Sequence, residues 1–393
     1  MKDLSSVLER LLSHEELAVL RRAGRAAAAH GIELYLVGGS VRDLLLGQTP
    51  ADLDLAGVGV TEPFASALAH DLGGRIVSRS QFVTAHVRTN GALIDLAMAR
   101  RETYAKPGAL PSVSPAEDIR EDLERRDFSI NAMALSLSGK RWGRLLDPLD
   151  GRRDLERKRI RVLHDRSFED DATRIFRAVR YSVRMGFALE PHTEALLRDG
   201  LRSVNTLSGE RVWNELERMF LEKRAVSAVR RAKALGALDA VAPGMGLPDG
   251  GVGALPSGEE RVKVLLALTA WPLAPIPGVA VVKRRLQLDR AMTKVVDDAA
   301  DVKEMLSALS GSDVRPSRLH EMLSGLEPEA VKAAAIACGD PGVARLLGYY
   351  LDELRGAATV LDGGDLMDLG VPEGPRVGRL LKELLAARLD GLV

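Results

Sequence analysis

Cysteine is nearly missing: Cys338 is the only one in 393 residues, so the chain forms no internal disulfide and builds no cysteine zinc site. Aromatic residues are scarce at 4%, which leaves Leu, Val and Ala to fill the core and favours helices. No apolar run approaches the roughly 20 residues that span a bilayer. The first residues, MKDLSSVLERLLSHEEL, carry charges where a secretory signal needs an apolar stretch. Net charge is also missing, with 55 basic against 55 acidic residues, so any nucleic-acid binding must come from local clustering. These absences point to a cytoplasmic protein with no membrane association. What is present, 46% hydrophobic and 28% charged residues, suits a globular chain with a large core and excludes extended disorder. The length suggests two to four domains at roughly 100–200 residues each.

Residues 1–30 read as helix, closing on Gly31. The texture then changes to a compact α/β unit. ELYLV (33–37) reads as a strand, SVRDLLLG as a helix after Gly38-Gly39, and DLDLAGV (52–58) as a half-buried strand. A helix capped by Thr61 follows, then three short strands: RIVSRS, TAHVRT and ALIDLAMA. Residues 101–122 hold three prolines without a clear period, and a loop of that length is usually either functional or disordered. From about residue 150 nearly every segment reads as helix, beginning with ERKRIRVL, with breaks at 242–258 and 362–364.

The most informative stretch is LYLVGGSVRDLLLGQTPADLDLA, residues 34–56. On a strand, Asp52 and Asp54 point to one face while Leu53 and Leu55 point into the core. Adjacent carboxylates raise one another's pKa unless a cation sits between them. Magnesium prefers such hard oxygens and keeps positions open for phosphate. Gly38 and Gly39 let a triphosphate approach the backbone, and Arg42 adds a charge-assisted contact. Asp95, in ALIDLAMA, is either a third ligand or base beside the pair, or a plain surface or capping residue.

A second motif, RRDFSIN, spans 125–131: Asp127 could cap the segment that follows, and Asn131 offers an amide to a sugar or base. In order, GGSVRDLLLG, DLDLA, RRDFSINAMAL, DPLDGRRDL, DDATRIFRAVRYSVRMGF and SGERVWNEL closely resemble the class II tRNA nucleotidyltransferase and bacterial poly(A) polymerase family of the polymerase-β superfamily, over roughly residues 30–225. The resemblance implies an α+β fold: a polymerase-β-like head with a mixed sheet and helices (1–146), an all-α neck (147–225) and a helical body and tail that bind tRNA (226–393). It also implies addition of C and A to the tRNA 3′ end from CTP and ATP, with a two-metal, in-line displacement. Asp52 and Asp54 match the magnesium-binding catalytic pair. Gly38, Gly39 and Arg42 fall in the triphosphate-binding motif, Arg126 matches the nucleotide-binding arginine, and Asp127 and Asn131 match the ribose-side positions. Addition of CC alone, of A alone, of poly(A), and a non-catalytic tRNA-binding role are the alternatives.

The family's base-selecting Glu-Asp-x-x-Arg reads Asp170-Asp171-Ala172-Thr173-Arg174 here, with Asp in place of Glu. At i and i+3 on a helix, Asp171 and Arg174 would present one edge. Cytosine and adenine both offer an amino donor beside a ring-nitrogen acceptor, which a carboxylate and a guanidinium match; uracil and guanine reverse that order. Sites of this kind reject the wrong partner by ~10⁴-fold or more. Arg177 and Arg180 continue the row and, in the family, also contact the nucleotide, with Arg184 beyond them. Between Arg152 and Arg184, eleven basic residues against six acidic ones leave a surplus of five for an RNA backbone. Past His192 only His320 occurs, too few histidines for an appended His-Asp phosphohydrolase domain.

Overall fold

The computed structural model describes residues 3–80, 84–89, 92–310 and 314–393. It separates into two compact units, one running to Leu207 and one from Ser208 to Val393. That boundary falls inside the stretch, 147–225, expected to form the neck.

The N-terminal arm is two helices, α1 (Ser5–Leu11) and α2 (His14–Ala29), where one was expected. Ser13 interrupts the run. Its hydroxyl accepts from the Glu16 N–H at 3.2 Å, and Glu16 accepts from the Ser13 N–H at 2.7 Å, a reciprocal cap that starts a new helix. The strands of the first unit are β1 (Glu33–Val37), β2 (Leu53–Val58), β3 (Arg75–Ser80), β4 (Thr84–Arg88), β5 (Leu93–Met98), β6 (Arg100–Thr103), β7 (Ser112–Pro115), β8 (Ala134–Ser136) and β9 (Leu145–Leu146). Seven of them form one mixed sheet in the order β3-β4-β5-β2-β1-β8-β9, with β2 at its centre. β2 runs antiparallel to β1 and parallel to β5, and this register sets Asp54 beside Asp95. Leu53 and Leu55 are buried, as the alternation requires. Helix α3 (Gly39–Leu45) follows β1, and α4 (Glu62–Asp71) is capped by Thr61.

Residues 101–122 are more ordered than their prolines suggest. β6 and β7 pair as an antiparallel hairpin, from Arg100 opposite Pro115 to Thr103 opposite Ser112. Pro107 and Pro111 lie between the strands, and Pro115 ends one of them, where a missing N–H costs little. Asp118 then caps α5 (Ile119–Glu124), accepting from the Arg120 N–H at 3.0 Å.

The DPLDGRRDL segment is tied to the RRDFSIN segment. Asp147 accepts from the Gly151 and Arg152 N–H groups at 2.6 and 3.0 Å, starting α6 (Gly151–Glu156). Gly151 lies so close to the preceding segment that a Cβ there would stand 2.1 Å from the Ser129 carbonyl oxygen. Asp154 is buried and accepts from Ser129 Oγ at 2.6 Å and Arg161 Nε at 2.8 Å. ERKRIRVL, expected as helix, is not one. Lys158 sits at φ 53°, which ends α6, and the chain continues as β10 (Arg159–Ile160), parallel to β11 (Ala188–Leu189). Then come α7 (Ser167–Asp170), α8 (Thr173–Met185) and α9 (Pro191–Gly200).

The second unit holds no strand among its described residues and runs as successive helices from Gly209–Phe220 to Pro375–Leu389. Trp271, Val302, Leu319, Leu347 and Tyr350 belong to its core. No helix among the described residues is long and apolar enough to cross a membrane.

Candidate active site

A cleft of about 510 Å³ opens in the first unit, lined by α3, the start of β2, the end of β6, the RRD segment and α8. Gly39, Arg42, Asp52, Asp54, Arg126, Asp127, Asn131, Asp171, Arg174 and Arg177 all line it. Arg184, expected further along as an RNA contact, lines it too. Gly38, Asp95 and Arg180 are not among its lining residues.

Asp52 differs from expectation: it lies in a bend one residue before β2, outside the strand. Its place beside Asp54 is set by a side chain instead of by sheet pairing. Ser40, buried in the first turn of α3, donates its hydroxyl to the Asp52 carbonyl at 2.9 Å and accepts from the Asp54 N–H at 2.9 Å. Burial pushes the Asp54 carboxyl above its ordinary range; nearby Arg126 opposes this, and Asp95 and Asp52 add to it. The carboxyl stays raised even with Arg126 nearby, and two hard oxygen donors fit a divalent cation. Among the described residues no group of three or more His, Cys, Asp or Glu is set to hold a metal. Asp95 instead takes a hydrogen bond with His86 Nδ1.

Arg125, Arg126 and Arg177 are held in place by buried acids. Arg126 forms a two-pronged pair with Asp122, at 2.8 and 3.2 Å. The carboxylate of Asp122 also takes Arg125, at 2.6 and 2.9 Å. Burial pushes Asp122 up, but the two guanidiniums outweigh it and hold this acid below its usual range. Arg42 pairs with Asp43 at 2.7 Å and donates to Asn131 Oδ1 at 2.8 Å. Asp127 does not cap a helix. It is buried, with Oδ1 accepting from the Phe128 N–H at 2.8 Å and Asn131 Nδ2 at 2.9 Å, and Oδ2 accepting from Arg177 at 2.6 and 2.9 Å. Burial is again the first influence on its pKa, and Arg177 and Asn131 reverse it to keep the acid ionised.

Asp171 and Arg174 do not share one helix. Asp171 is extended, at φ −140° and ψ 97°, in the break between α7 and α8, and Arg174 is in the first turn of α8. The break arises because the Asp171 carboxylate turns back onto Thr173, accepting from its N–H at 3.0 Å and its hydroxyl at 2.7 Å. Arg174 is buried and donates to Ser167 Oγ and the Arg125 carbonyl, each at 2.7 Å. Arg180 packs over the ring of Tyr181 at 5.0 Å, and Arg42 and Arg177 approach the same ring at 5.5 Å.

Sequence reasoning missed Ser40, Glu102, Tyr104, Asp122 and Tyr181. Two had readable signals: Asp122 precedes Arg125 and Arg126 by three and four residues, and Tyr181 follows Arg177 by four. Glu102 and Tyr104 had none. They come from the β6 end of the hairpin; Tyr104 donates its hydroxyl to Glu102 at 3.1 Å, and Glu102 takes Arg125 at 2.9 Å. Burial, then Glu102, push the Tyr104 phenol up to about 12.

Gly38 supports this arrangement by having no side chain. It sits at φ 67° and ψ −128°, and a Cβ there would stand 2.6 Å from Arg126 Nη1. The backbone strain alone costs about 1–3 kcal/mol, and Arg126 cannot withdraw without leaving Asp122. Gly38→Ala should therefore lower the urea midpoint and raise KM for the nucleotide; unchanged values for both would show that Arg126 moves freely.

The chain matches the family described as "Poly A polymerase head domain" over residues 34–161, and "Probable RNA and SrmB- binding site of polymerase A" over 186–246. It is 34% identical to an A-adding tRNA nucleotidyltransferase of Geobacter sulfurreducens, over 99% of this chain but only 47% of that protein. It is 32% identical to the A-adding enzyme of Halalkalibacterium halodurans, over 98% of this chain and 90% of that one. It is 30% identical to the CCA-adding enzyme of Lactobacillus gasseri, over 96% and 93%. Among solved structures, a CCA-adding enzyme in its apo form II superposes with a TM-score of 0.86 at 28% identity, covering 99% of this chain and 95% of that one. A complex of a CCA-adding enzyme with CTP gives 0.84 at 27% identity, with the same coverage of both chains.

Proposed function

The chain belongs to the tRNA nucleotidyltransferase family, and from that premise we propose that it adds C and A to the 3′ end of tRNA, using CTP and ATP and releasing pyrophosphate. One observation carries the reading: the carboxylates of Asp52 and Asp54 and the pair Asp171 and Arg174 line a single cleft of nucleotide size. The terminal 3′ oxygen of the tRNA displaces pyrophosphate from the α-phosphorus of the incoming nucleotide. Arg42 and Arg126, already oriented by Asp43, Asn131 and Asp122, bind the phosphates. Asp127 and Asn131 support the ribose side, Arg177 completes that wall, and Arg180 acts from behind Tyr181. Asp171 and Arg174 read the base edge. Asp52 and Asp54 would hold magnesium, with Asp95 beside them, and the bound metal would acidify the 3′-hydroxyl and neutralise the triphosphate. We assign residues 1–146 as the head, 147–225 as the neck and 226–393 as the tRNA-binding body and tail, and the cytoplasm as the site of action.

The test is extension of a tRNA lacking CCA, resolved at single nucleotides. CTP alone should add two residues, and CTP with ATP three. A second reading, addition of the terminal A alone, is favoured by the names of the Geobacter and Halalkalibacterium relatives. It predicts no extension with CTP and one residue on a tRNA already ending in CC. A long ladder from ATP alone would mark a poly(A) polymerase.

The hairpin turn supplies a further expectation. Residues 104–111 join β6 to β7, and the turn end of β6 contributes Glu102 to the cleft. Removing 105–110 should spare CC addition and suppress the terminal A in the same assay. Equal loss of both steps would give the turn a general role in closure.

A further inference from the structure

We propose that Thr173 and Ser167 are the positioning residues that set base choice, by fixing the plane of the Asp171 carboxylate and the guanidinium of Arg174. The inference rests on the base-reading role proposed above for that pair. An aspartate's terminal torsion is broad and roughly two-fold, and Asp171 lies outside any helix, so the backbone alone does not fix its carboxylate. Two donors of Thr173 do: its N–H and its hydroxyl both reach Asp171 Oδ1, at 3.0 and 2.7 Å. Thr173 is itself buried. Its branched Cβ restricts the side chain to few rotamers, which holds the hydroxyl on its target.

Ser167 does the corresponding work for the donor half. It is fully buried and accepts from Arg174 Nη1 at 2.7 Å. The Arg125 carbonyl accepts from Nη2 at 2.7 Å. Two acceptors on two different nitrogens define the guanidinium plane. A carboxylate and a guanidinium that must meet adjacent atoms of one base edge discriminate only if both planes stay fixed. A tilted carboxylate still binds an amino group, but it loses its advantage over a geometry that tolerates a carbonyl. The two hydroxyls should therefore act on selectivity more than on turnover.

The experiment compares Thr173→Val, Thr173→Ser and Ser167→Ala with the wild type in the full-length protein. The measured quantities are kcat/KM for CTP, ATP, UTP and GTP on a tRNA lacking CCA and on one ending in CC, together with the thermal midpoint. Thr173→Val keeps the shape and the N–H and removes the hydroxyl. It should reduce discrimination of the cognate nucleotide against UTP and GTP by about tenfold, the low end of what a hydrogen bond to a charged group carries. Thr173→Ser should restore most of it, and Ser167→Ala should relax discrimination in the same direction. If Thr173→Val lowers all four values equally, with an unchanged ratio, the hydroxyl serves only the helix start and the inference is overturned. The double variant of Asp171 and Arg174 separates the two levels. If it relaxes selectivity and Thr173→Val does not, the positioning inference fails alone; if it retains wild-type selectivity, the base-reading assignment fails first.

Discussion

Asp54→Ala is expected to lower nucleotide addition at least a hundredfold while leaving a folded protein. Metal-assisted stabilisation of the transition state is worth several kcal/mol, and each 1.4 kcal/mol is a factor of ten. Stability should not fall with activity, and the sign of the pKa shift says why. Burial raises the Asp54 carboxyl in the folded state, so at neutral pH the ionised group opposes folding, and this opposition fades only as pH drops through the raised value. Removing the charge removes the opposition. The Asp54 N–H, which bonds Ser40, remains in the variant. Addition rates under saturating CTP, ATP and magnesium, measured beside the thermal midpoint at pH 7, check both halves. More than a tenth of the wild-type rate in a folded variant would remove Asp54 from the catalytic pair.

The second large effect concerns base choice. Asp171→Asn with Arg174→Gln should reduce incorporation of C and A by about one to two factors of ten per lost contact, since hydrogen bonds to charged groups contribute ~1.5–3 kcal/mol each. Discrimination against U and G should relax at the same time. Arg174 also braces Ser167 and the Arg125 carbonyl, so some loss of stability is expected, but loss of stability lowers all four nucleotides together. The deciding quantity is the ratio of kcat/KM for CTP to that for UTP. If the double variant keeps the wild-type ratio, selection lies elsewhere, in Arg126, Asn131 or the RNA.

How far the sequence revealed this site depended on whether the responsible contact was local. β1, α3 and β2 were readable because alternation and the paired glycines are properties of adjacent residues; Leu53 and Leu55 lie where period two puts them. The order of motifs then indicated which distant segments meet. Departures occur where one side chain overrides the backbone pattern. Asp52 leaves its strand because Ser40, twelve residues earlier, holds its carbonyl. Asp171 leaves its helix because its own carboxylate competes for Thr173. ERKRIRVL has helical composition, but a left-handed Lys158 turns the chain into an extended pair with residues 188–189. The 100–115 hairpin was hidden because its two short strands pair only with each other. Tyr181 is one of two tyrosines, of five in the chain, that line this cleft, and one of its arginine partners, Arg42, is 139 residues away in sequence.

The position of β2 at the centre of the sheet has a consequence for synthesis. Its neighbour β1 is itself covered by β8, with Tyr35 paired to Ser136 across about a hundred residues, and the cleft is complete only when Arg184 has joined Gly39. At roughly 5–20 residues per second, the nascent chain carries its acidic pair for roughly 6–26 s before the last arginine of α8 exists to face it. Pairings of such long sequence separation close late. The carboxylates therefore emerge from the ribosome long before the cleft they line is complete, and the unfinished chain presents the open side of β1 until residues 134–136 arrive. For this chain, the moment of greatest exposure to aggregation and the moment at which its cleft is complete are separated by the time needed to translate the segment from β8 to α8.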